Sequence, residues 1–279
     1  MDYKVVVDSC GELTEEMKKT GIYETASLSM QVNGVNIVDD ESFDQADFLR
    51  RVAESPECPK SSCPSPERYR QCFEGEAKRV YVVTLSSELS GSYNSAMLAK
   101  NLYLEGDDKK QIHIFNSRSA SVGETLIAMK IQECEEAGKE FGEVVQTVER
   151  YIQGQHTYFV LENLETLRKN GRLTGIKAIV ASALNIKPVM GSTPQGTICQ
   201  LGQARGVRRA LGKMVNLIAE ESVDTWEKNL AIAHCNCPER AKEVEKMLLS
   251  KIEVKSSFIV DTAGISSMYA NDGGIIVVI

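Results

Sequence analysis

The chain has 279 residues, of which 42% are hydrophobic and 25% charged, as is typical of a globular protein with a sizeable core. This length favours two domains, or one large α/β unit, over a single small core. The 32 basic and 39 acidic side chains give a net charge of −7, which argues against a general nucleic-acid binder because phosphate backbones would be repelled at long range.

The first half of the chain repeats one pattern, in which a short apolar run is followed by a polar loop rich in hydroxyl groups and then by a helical stretch. Apolar runs that alternate with helices indicate buried parallel strands in βα units. Thr14 is placed to cap the first of the helices. The predicted strands are Val5–Val7, Arg79–Leu85 and Ile112–Phe115, and the predicted helices are Leu13–Lys19, a run through Ala96 and Ala99, Val122–Ala137 and Phe141–Ile152.

A proline-rich segment interrupts this pattern. Four prolines lie between Glu54 and Pro66, a density that excludes a helix and favours an extended loop. At the end of the segment, Ser65, Pro66 and Glu67 supply an N-cap, a first-turn proline and a favourable first-turn acid. The sequence therefore predicts a helix that begins at Pro66.

The pattern changes near residue 155. The segment 191–196 has the composition of a β-hairpin connection, and strands no longer alternate regularly with helices. This order favours an α+β domain with a mixed or antiparallel sheet. We therefore predict an N-terminal parallel-sheet α/β domain over residues 1–155 and a second α+β domain over residues 156–279. The predicted elements of the second are the strands Thr157–Leu161, Ile186–Met190, Thr197–Leu201, Leu230–Ala233, Ser257–Val260 and Ile275–Ile279, and the helices Leu164–Asn170, Val207–Glu220 and Pro238–Leu249.

Hydroxyl side chains cluster where the predicted parallel strands end. In a parallel sheet, ligands bind beyond the carboxyl ends of the strands, and hydroxyl groups beside helix N-terminal amides suit a carboxylate or a phosphate. A serine in such a place can also simply cap the turn or helix that follows it. A ligand site and a set of local caps are therefore both open interpretations of the clusters Asp8-Ser9, Ser86-Ser87, Asn116-Ser117 and Ser61-Ser62.

The standard catalytic and nucleotide-binding motifs are missing. The sequence contains no G-x-x-x-x-G-K-[ST] or G-x-G-x-x-G loop and no G-x-S-x-G nucleophile elbow. His113, His156 and His234 lie in predicted strands or a turn and lack the spacing of metal ligands. The acidic cluster at residues 39–41 is expected to be a solvated loop. Catalysis by this chain alone is thus poorly supported.

The start of the chain and the lack of a long apolar run favour a cytoplasmic protein. A secretory signal needs a basic start and a long apolar segment, and a membrane span needs about 20 apolar residues; the sequence shows neither. The eight cysteines are therefore expected to be reduced thiols. Cys235 and Cys237 form the tightest pair, but they would need further ligands to hold a metal. We expect no metal and no cofactor.

Several segments resemble one known family. Residues 86–96, Ser-Ser-Glu-Leu-Ser-Gly-Ser-Tyr-Asn-Ser-Ala, closely resemble the S-S-x-L-S-G-T-Y-x-S-A segment of the DegV family of fatty-acid-binding proteins. Residues 5–9 are similar to that family's opening strand and Asp-Ser turn, and residues 61–65 to its T-S-x-P-S loop. Residues 161–173 and 184–188 resemble its second-domain signatures. These matches follow the family's order over nearly the whole chain.

The resemblance implies a function and a set of site residues. It implies two α/β domains that bury a long-chain fatty acid such as palmitate, which is then the ligand of the protein. It also implies that the chain is no enzyme itself but the acyl-carrying subunit of a fatty-acid kinase, to which it presents the carboxylate for phosphorylation. Ser61 and Ser90 would hold the carboxylate beside the Gly91 backbone, and Arg172 would engage the kinase. The other candidate ligand-binding residues in the matching segments are Ser9, Ser62 and Ser92.

The chain departs from the family pattern near its C-terminus. There the family commonly has a head-group histidine followed by a G-P-G turn, whereas residues 264–274 contain no histidine. Met268 or Tyr269 occupies about that place, and of the two only the tyrosine has a hydroxyl that can donate a hydrogen bond. Both are candidate site residues.

Two other functions stay open on the sequence. One is a lipid carrier without a kinase role, which would yield no acyl phosphate when mixed with a kinase and ATP. The other is a hydrolase or transferase with a serine nucleophile, which would turn over without a partner and react with a serine-directed probe. The missing elbow motif argues against the second.

Overall fold

The computed structural model describes residues 2–106, 110–173 and 185–279. Leu184, which begins one of the two second-domain signatures, lies outside the described residues. The strands are β1 (Tyr3–Asp8), β2 (Tyr23–Ala26), β3 (Ser29–Val32), β4 (Val35–Val38), β5 (Lys60–Ser62), β6 (Arg79–Thr84), β7 (Gln111–Asn116), β8 (Thr157–Val160), β9 (Ile186–Ser192), β10 (Ile198–Arg205), β11 (Asn229–His234), β12 (Ser256–Asp261) and β13 (Ile275–Val278). The helices are α1 (Glu15–Thr20), α2 (Gln45–Glu54), α3 (Pro66–Cys72), α4 (Ser92–Leu104), α5 (Val122–Glu136), α6 (Phe141–Gln153), α7 (Glu165–Lys169), α8 (Val207–Glu221), α9 (Pro238–Leu249) and α10 (Gly264–Ala270), with a 3₁₀ turn at Thr225–Glu227.

The N-terminal half is built on a parallel sheet with the strand order β2-β1-β6-β7. Alternate residues of β1 face opposite layers, as the strand period of two requires. Val5 and Val7 pack with helices α5 and α6, whereas Val6 packs with α3 and α4. The three predicted strands of this sheet are confirmed, and β2 is a fourth strand that the sequence pattern did not indicate.

The C-terminal half is built on a six-stranded mixed sheet with the order β10-β9-β8-β13-β11-β12. Strands β11 and β12 are parallel, and the other neighbours are antiparallel. The predicted hairpin is confirmed as β9 and β10. Helices α8 and α9 cover one face of the sheet, and α5 contacts β11 and β13 on the other. The predicted fold class is thus confirmed, while the division at residues 155 and 156 stays a prediction.

A third, antiparallel sheet with the order β4-β3-β5 was not predicted. Its strand β5 lies within the proline-rich segment, which was expected to be an extended loop. The segment is extended, but Ser61 and Ser62 pair with Met30 and Ser29 of β3. This pairing fixes the position of Ser61 relative to the rest of the fold.

Two predicted helix starts are confirmed by their caps. The Thr14 hydroxyl accepts a hydrogen bond from the Met17 amide at the start of α1. The Ser65 hydroxyl accepts one from the Arg68 amide at the start of α3, where Pro66 is the first helical residue. Each cap satisfies an amide that would otherwise lack a partner, which stabilises the helix by about 1 kcal/mol.

The described residues lack the features of a membrane span or a metal site. None of the described helices is long and apolar enough to cross a bilayer. Within residues 2–106, 110–173 and 185–279, no three His, Cys, Asp or Glu side chains are grouped so that they could hold a metal ion. The eight cysteines are unpaired.

Candidate ligand-binding site

A cavity of about 430 Å³ lies where the three sheets meet. Its walls come from the loops after β1 and β6, from strands of the mixed sheet and from helix α10. The volume is within the range of about 300–1,000 Å³ that is usual for small-molecule sites. Most of the wall is apolar and suits an alkyl chain. The large apolar side chains are Leu28, Leu85, Leu89, Phe159, Leu161, Leu167, Ile198, Ile265 and Ile276.

Several hydroxyl side chains line the same cavity, and we call three of them, those of Ser61, Ser90 and Tyr269, the hydroxyl cluster. Ser61 Oγ lies 2.9 Å from Tyr269 Oη, so β5 and α10 meet at this hydrogen bond. The loop that carries Ser90 lies close to the end of β5. A Cβ built on the neighbouring Gly91 would lie only 3.1 Å from Cys63 Sγ. Burial raises the pKa of Tyr269, so its hydroxyl stays protonated and able to donate.

Ser92 lies behind Ser90 and is not among the residues that line the cavity. Ser90 Oγ donates to Ser92 Oγ at 3.1 Å, and the Ser92 amide donates back to Ser90 Oγ at 3.2 Å. Ser92 is fully buried and adjoins the Asp8 carboxyl group. Its contribution to the site is therefore to hold Ser90 in position.

The remaining candidates divide between cavity and core. Ser62 and the Gly91 backbone line the cavity, whereas Ser9 and Met268 do not. Ser9 Oγ accepts a hydrogen bond from the Leu28 amide at 3.0 Å. Met268 is 1% exposed and packs into a core cluster with Leu28. Of the two residues near the place of the family histidine, Tyr269 is the one that reaches the cavity.

The serines that follow β6 and β7 support local turns. The Ser86 hydroxyl accepts from the Glu88 amide and donates to the Gly196 carbonyl. The Ser117 hydroxyl accepts from the Ser119 amide. Neither residue lines the cavity. The interpretation of strand-end serines as caps therefore holds for these two clusters.

Arg172 lines the cavity as well as lying near the surface. Its Nε donates to the Leu89 carbonyl at 3.1 Å, and its Nη1 donates to the Asn170 carbonyl at 2.6 Å. Its guanidinium carbon lies 5.7 Å from the centre of the Tyr269 ring. The side chain thus joins the chain after α7 to the loop that carries Ser90 and to the hydroxyl cluster.

Two buried carboxylates hold the N-terminus of α10. Asp39 is 2% exposed, and its oxygens accept from the Gly264 and Ile265 amides at 2.7 and 2.9 Å. The expectation that Asp39 lies in a solvated loop was wrong, because these amides give its carboxylate buried partners. Glu12 accepts from the Ala263 amide at 3.4 Å. Both acids are far in sequence from the helix that they hold, so no local pattern indicates this role.

The sequence did not indicate several polar residues of the wall. Some come from the turn between β7 and α5 and others from the mixed sheet and α10. Ser119 Oγ and Thr157 Oγ1, for example, lie 2.6 Å apart and link the two halves of the protein. The polar wall residues that no motif singled out are Arg118, Ser119, Ser121, Thr157, Ser192, Thr197 and Ser266.

Comparisons with known proteins give the family. The family model described as "uncharacterised protein, DegV family" matches residues 2–279. A DegV domain-containing protein of Streptococcus pyogenes serotype M1 is 33% identical, over 99% of this chain and 98% of the relative. A solved DegV family structure from Ruminococcus gnavus, refined with vaccenic acid, is 64% identical and covers both chains fully, with a TM-score of 0.98. The Streptococcus pneumoniae Fatty Acid Kinase (Fak) B3 protein, loaded with linoleic acid, is 30% identical over 100% of this chain and 99% of that one, with a TM-score of 0.89. This chain therefore belongs to the DegV family.

Proposed function

We propose that this chain binds a long-chain fatty acid in the cavity, with the carboxylate at the hydroxyl cluster and the tail along the apolar wall. The observation that carries the proposal is one cavity that combines an apolar wall with Ser61, Ser90 and Tyr269. The vaccenic and linoleic acids of the two structural relatives support the same class of ligand.

The tail supplies most of the binding free energy. Burying about fourteen methylene groups at ~0.8 kcal/mol each gives ~11 kcal/mol before costs. Association and ordering of the chain remove several kcal/mol, which leaves a dissociation constant of about 1 μM or below. Each hydroxyl contact adds only about 0.5–1.5 kcal/mol. The hydroxyl cluster therefore fixes where the carboxylate lies rather than how tightly the ligand binds.

The head-group environment suits presentation of the carboxylate to a partner. The Arg172 guanidinium already donates two of its five N–H groups to the Leu89 and Asn170 carbonyls, which leaves fewer donors for a carboxylate. Neutral hydroxyl donors hold the carboxylate less strongly and leave an oxygen available for reaction. We infer that the chain is the acyl-carrying subunit of a fatty-acid kinase system, in which the kinase performs the phosphoryl transfer. The naming of the pneumococcal relative supports this role.

Replacing Arg172 by alanine tests the kinase role separately from binding. The change removes the positive charge and leaves the Leu89 carbonyl without this donor. Hydrogen bonds to charged groups contribute about 1.5–3 kcal/mol. We therefore expect acyl-phosphate formation to fall at least about tenfold while the fatty acid stays bound. The measurement is acyl phosphate formed from the loaded protein, a fatty-acid kinase and ATP. Arg168→Ala is the matched control, because this exposed arginine lies on α7 and forms an ion pair with Glu165, three residues earlier.

The two outcomes separate the alternatives. If the wild-type protein binds fatty acid but yields no acyl phosphate, the chain is a carrier without a kinase role. If Arg172→Ala supports the same rate as Arg168→Ala, the assignment of Arg172 to the kinase contact is wrong.

A further inference from the structure

One end of the cavity wall on the mixed sheet is polar. Thr157, Phe159 and Leu161 lie on the cavity side of the sheet, as alternate residues of an extended chain do, and only the first of them is polar. On the neighbouring strand β9, Ser192 pairs with Ile198 of β10. Paired residues face the same side of a sheet, and Ile198 packs against the core cluster of Phe159 and Leu161. The Ser192 side chain therefore faces the cavity.

Three hydroxyl groups lie together at this end of the wall, those of Ser119, Thr157 and Ser192, and we call them the distal patch. Ser119 Oγ lies 2.6 Å from Thr157 Oγ1. Tyr158 pairs with Gly191, so Thr157 and Ser192 occupy neighbouring positions on adjacent strands. All three members of the distal patch line the cavity.

The distal patch lies away from the hydroxyl cluster. Arg172 follows α7, beyond the C-terminal end of β8, and its guanidinium carbon lies 5.7 Å from the centre of the Tyr269 ring. Thr157 is the first residue of β8, about 13 Å from Leu161 at ~3.3 Å per residue. A carboxylate at the hydroxyl cluster therefore brings a later part of the chain, and not its first carbons, beside the distal patch.

The distal patch has unused hydrogen-bonding capacity. A hydroxyl group donates one hydrogen bond and accepts two. Ser119 Oγ donates to the Ala120 carbonyl at 3.4 Å, so in the pair with Thr157 it is the acceptor. Within residues 2–106, 110–173 and 185–279, no group bonds to the Ser192 hydroxyl. The patch can therefore donate one hydrogen bond from Ser192 and accept one at Thr157 Oγ1.

A hydroxyl group on the acyl chain has the complementary capacity. Side chains at opposite positions of adjacent strands have Cβ atoms about 5 Å apart, so one oxygen atom can bond to both Thr157 and Ser192. In a wholly apolar tunnel, such a hydroxyl would lose its bonds to water without replacement and binding would weaken. At the distal patch these bonds are replaced, whereas a plain alkyl chain leaves the patch hydroxyls unpaired.

We propose that the cavity selects long-chain fatty acids that carry a hydroxyl group on the chain, remote from the carboxylate, and that the distal patch binds this group. The inference rests on the fatty-acid binding proposed above and names its substrate class. It does not depend on the kinase role.

Isothermal titration with stearate, 10-hydroxystearate, 12-hydroxystearate and 10-methylstearate tests the inference. The methyl branch is the matched control ligand, because it resembles a hydroxyl in size but forms no hydrogen bond. We expect at least one of the two hydroxy acids to bind the wild-type protein about tenfold more tightly than stearate, the scale of one net hydrogen bond. We expect 10-methylstearate to bind no more tightly than stearate.

Two substitutions assign the preference to the distal patch. Ser192→Ala and Thr157→Val each remove one hydroxyl, and each should reduce the preference to about twofold or less while stearate binds as in the wild type. Ser256→Ala should keep the full preference, because this exposed serine lies on the edge strand β12 of the same sheet and does not line the cavity. Thermal unfolding shows whether each variant folds. Ser192→Ala alone decides the point if loss of the bond to Ser119 unfolds Thr157→Val.

The same titrations separate two failures. A folded wild-type protein that binds none of the four acids contradicts the proposed function. A protein that binds stearate as tightly as both hydroxy acids, or more tightly, overturns the inference, as does an equal gain from 10-methylstearate. A preference that persists in Ser192→Ala shows that the distal patch does not bind the chain hydroxyl.

Discussion

Replacing Ile198 by tryptophan is expected to abolish the binding of long-chain fatty acids. Ile198 lines the cavity next to Phe159, Leu161 and Leu167, so an indole at this position fills space that the tail needs. Excluding about half of the methylene groups costs ~5 kcal/mol, which weakens binding by roughly 10³–10⁴-fold. Isothermal titration with palmitate measures the loss, and decanoate, whose shorter chain needs less of the cavity, should lose much less.

Gln200→Trp is the matched control for this substitution. Gln200 lies on the same strand, β10, but is exposed and does not line the cavity. Thermal unfolding of both variants shows whether the fold is kept. If Ile198→Trp folds and binds palmitate as tightly as Gln200→Trp, the tail does not occupy this cavity.

The second large effect concerns the dependence of stability on pH. Burial raises the pKa of Glu12 to about 7, well above its value in an unfolded chain. Between about pH 4.5 and 7 the folded state therefore holds a proton that the unfolded state releases, and this contribution to stability is lost as the pH rises through 7. Since one pKa unit corresponds to about 1.4 kcal/mol, the loss attributable to Glu12 is about 3 kcal/mol.

Glu12→Gln isolates this contribution. The variant cannot ionise at this position, so the decrease in unfolding free energy between pH 5 and pH 8 should be about 2.5 kcal/mol smaller than in the wild type. Urea denaturation at the two pH values measures the difference, with Glu16→Gln, an exposed residue of α1, as the control. An equal decrease in the wild type and in Glu12→Gln would show that Glu12 is already ionised in the folded protein at pH 5.

The ionisation of Asp39 also lowers the stability of the fold as the pH rises, but at a lower pH than that of Glu12. Burial raises its pKa to about 6, although its carboxylate accepts two amides of α10. Both acids contact the start of α10, so the contacts that hold this helix, and with it Tyr269, depend on pH between about pH 5 and 7. This range follows from desolvation, the largest cause for both groups.

Features fixed by neighbouring residues were predicted well from the sequence. The start of α1 at Thr14 and of α3 at Ser65 depends on hydrogen bonds across three residues. The strands of the parallel sheet are continuous apolar runs because both of their faces are buried. Their order of strand, hydroxyl-rich loop and helix therefore indicated the fold class directly.

Features that join distant parts of the chain were not predicted. Strand β5 is too short and too polar to be predicted from its own residues, because it forms by pairing with β3, about thirty residues earlier. The contact of Ser61 with Tyr269 joins residues 208 positions apart, and only the turn of α10 decides that Tyr269 rather than Met268 reaches the cavity. Such relations arise from tertiary packing and leave no local pattern.

The serines show why a residue type alone does not define a site. The same hydroxyl chemistry supports a turn at Ser86 and Ser117 and lines the cavity at Ser61 and Ser90. At Ser121 the same chemistry serves the core, because its buried hydroxyl donates to the Glu12 carboxylate. The resemblance to the DegV family located the loops of the site, and the structure separated wall residues from buried supports.

Native mass spectrometry of the protein as purified, followed by denaturing extraction, tests fatty-acid binding most directly. The account predicts one long-chain fatty acid per chain in the native spectrum and a free carboxylic acid in the extract, with Ile198→Trp carrying none. A folded wild-type protein that carries no lipid, and that acquires none when incubated with palmitate or oleate, would contradict it.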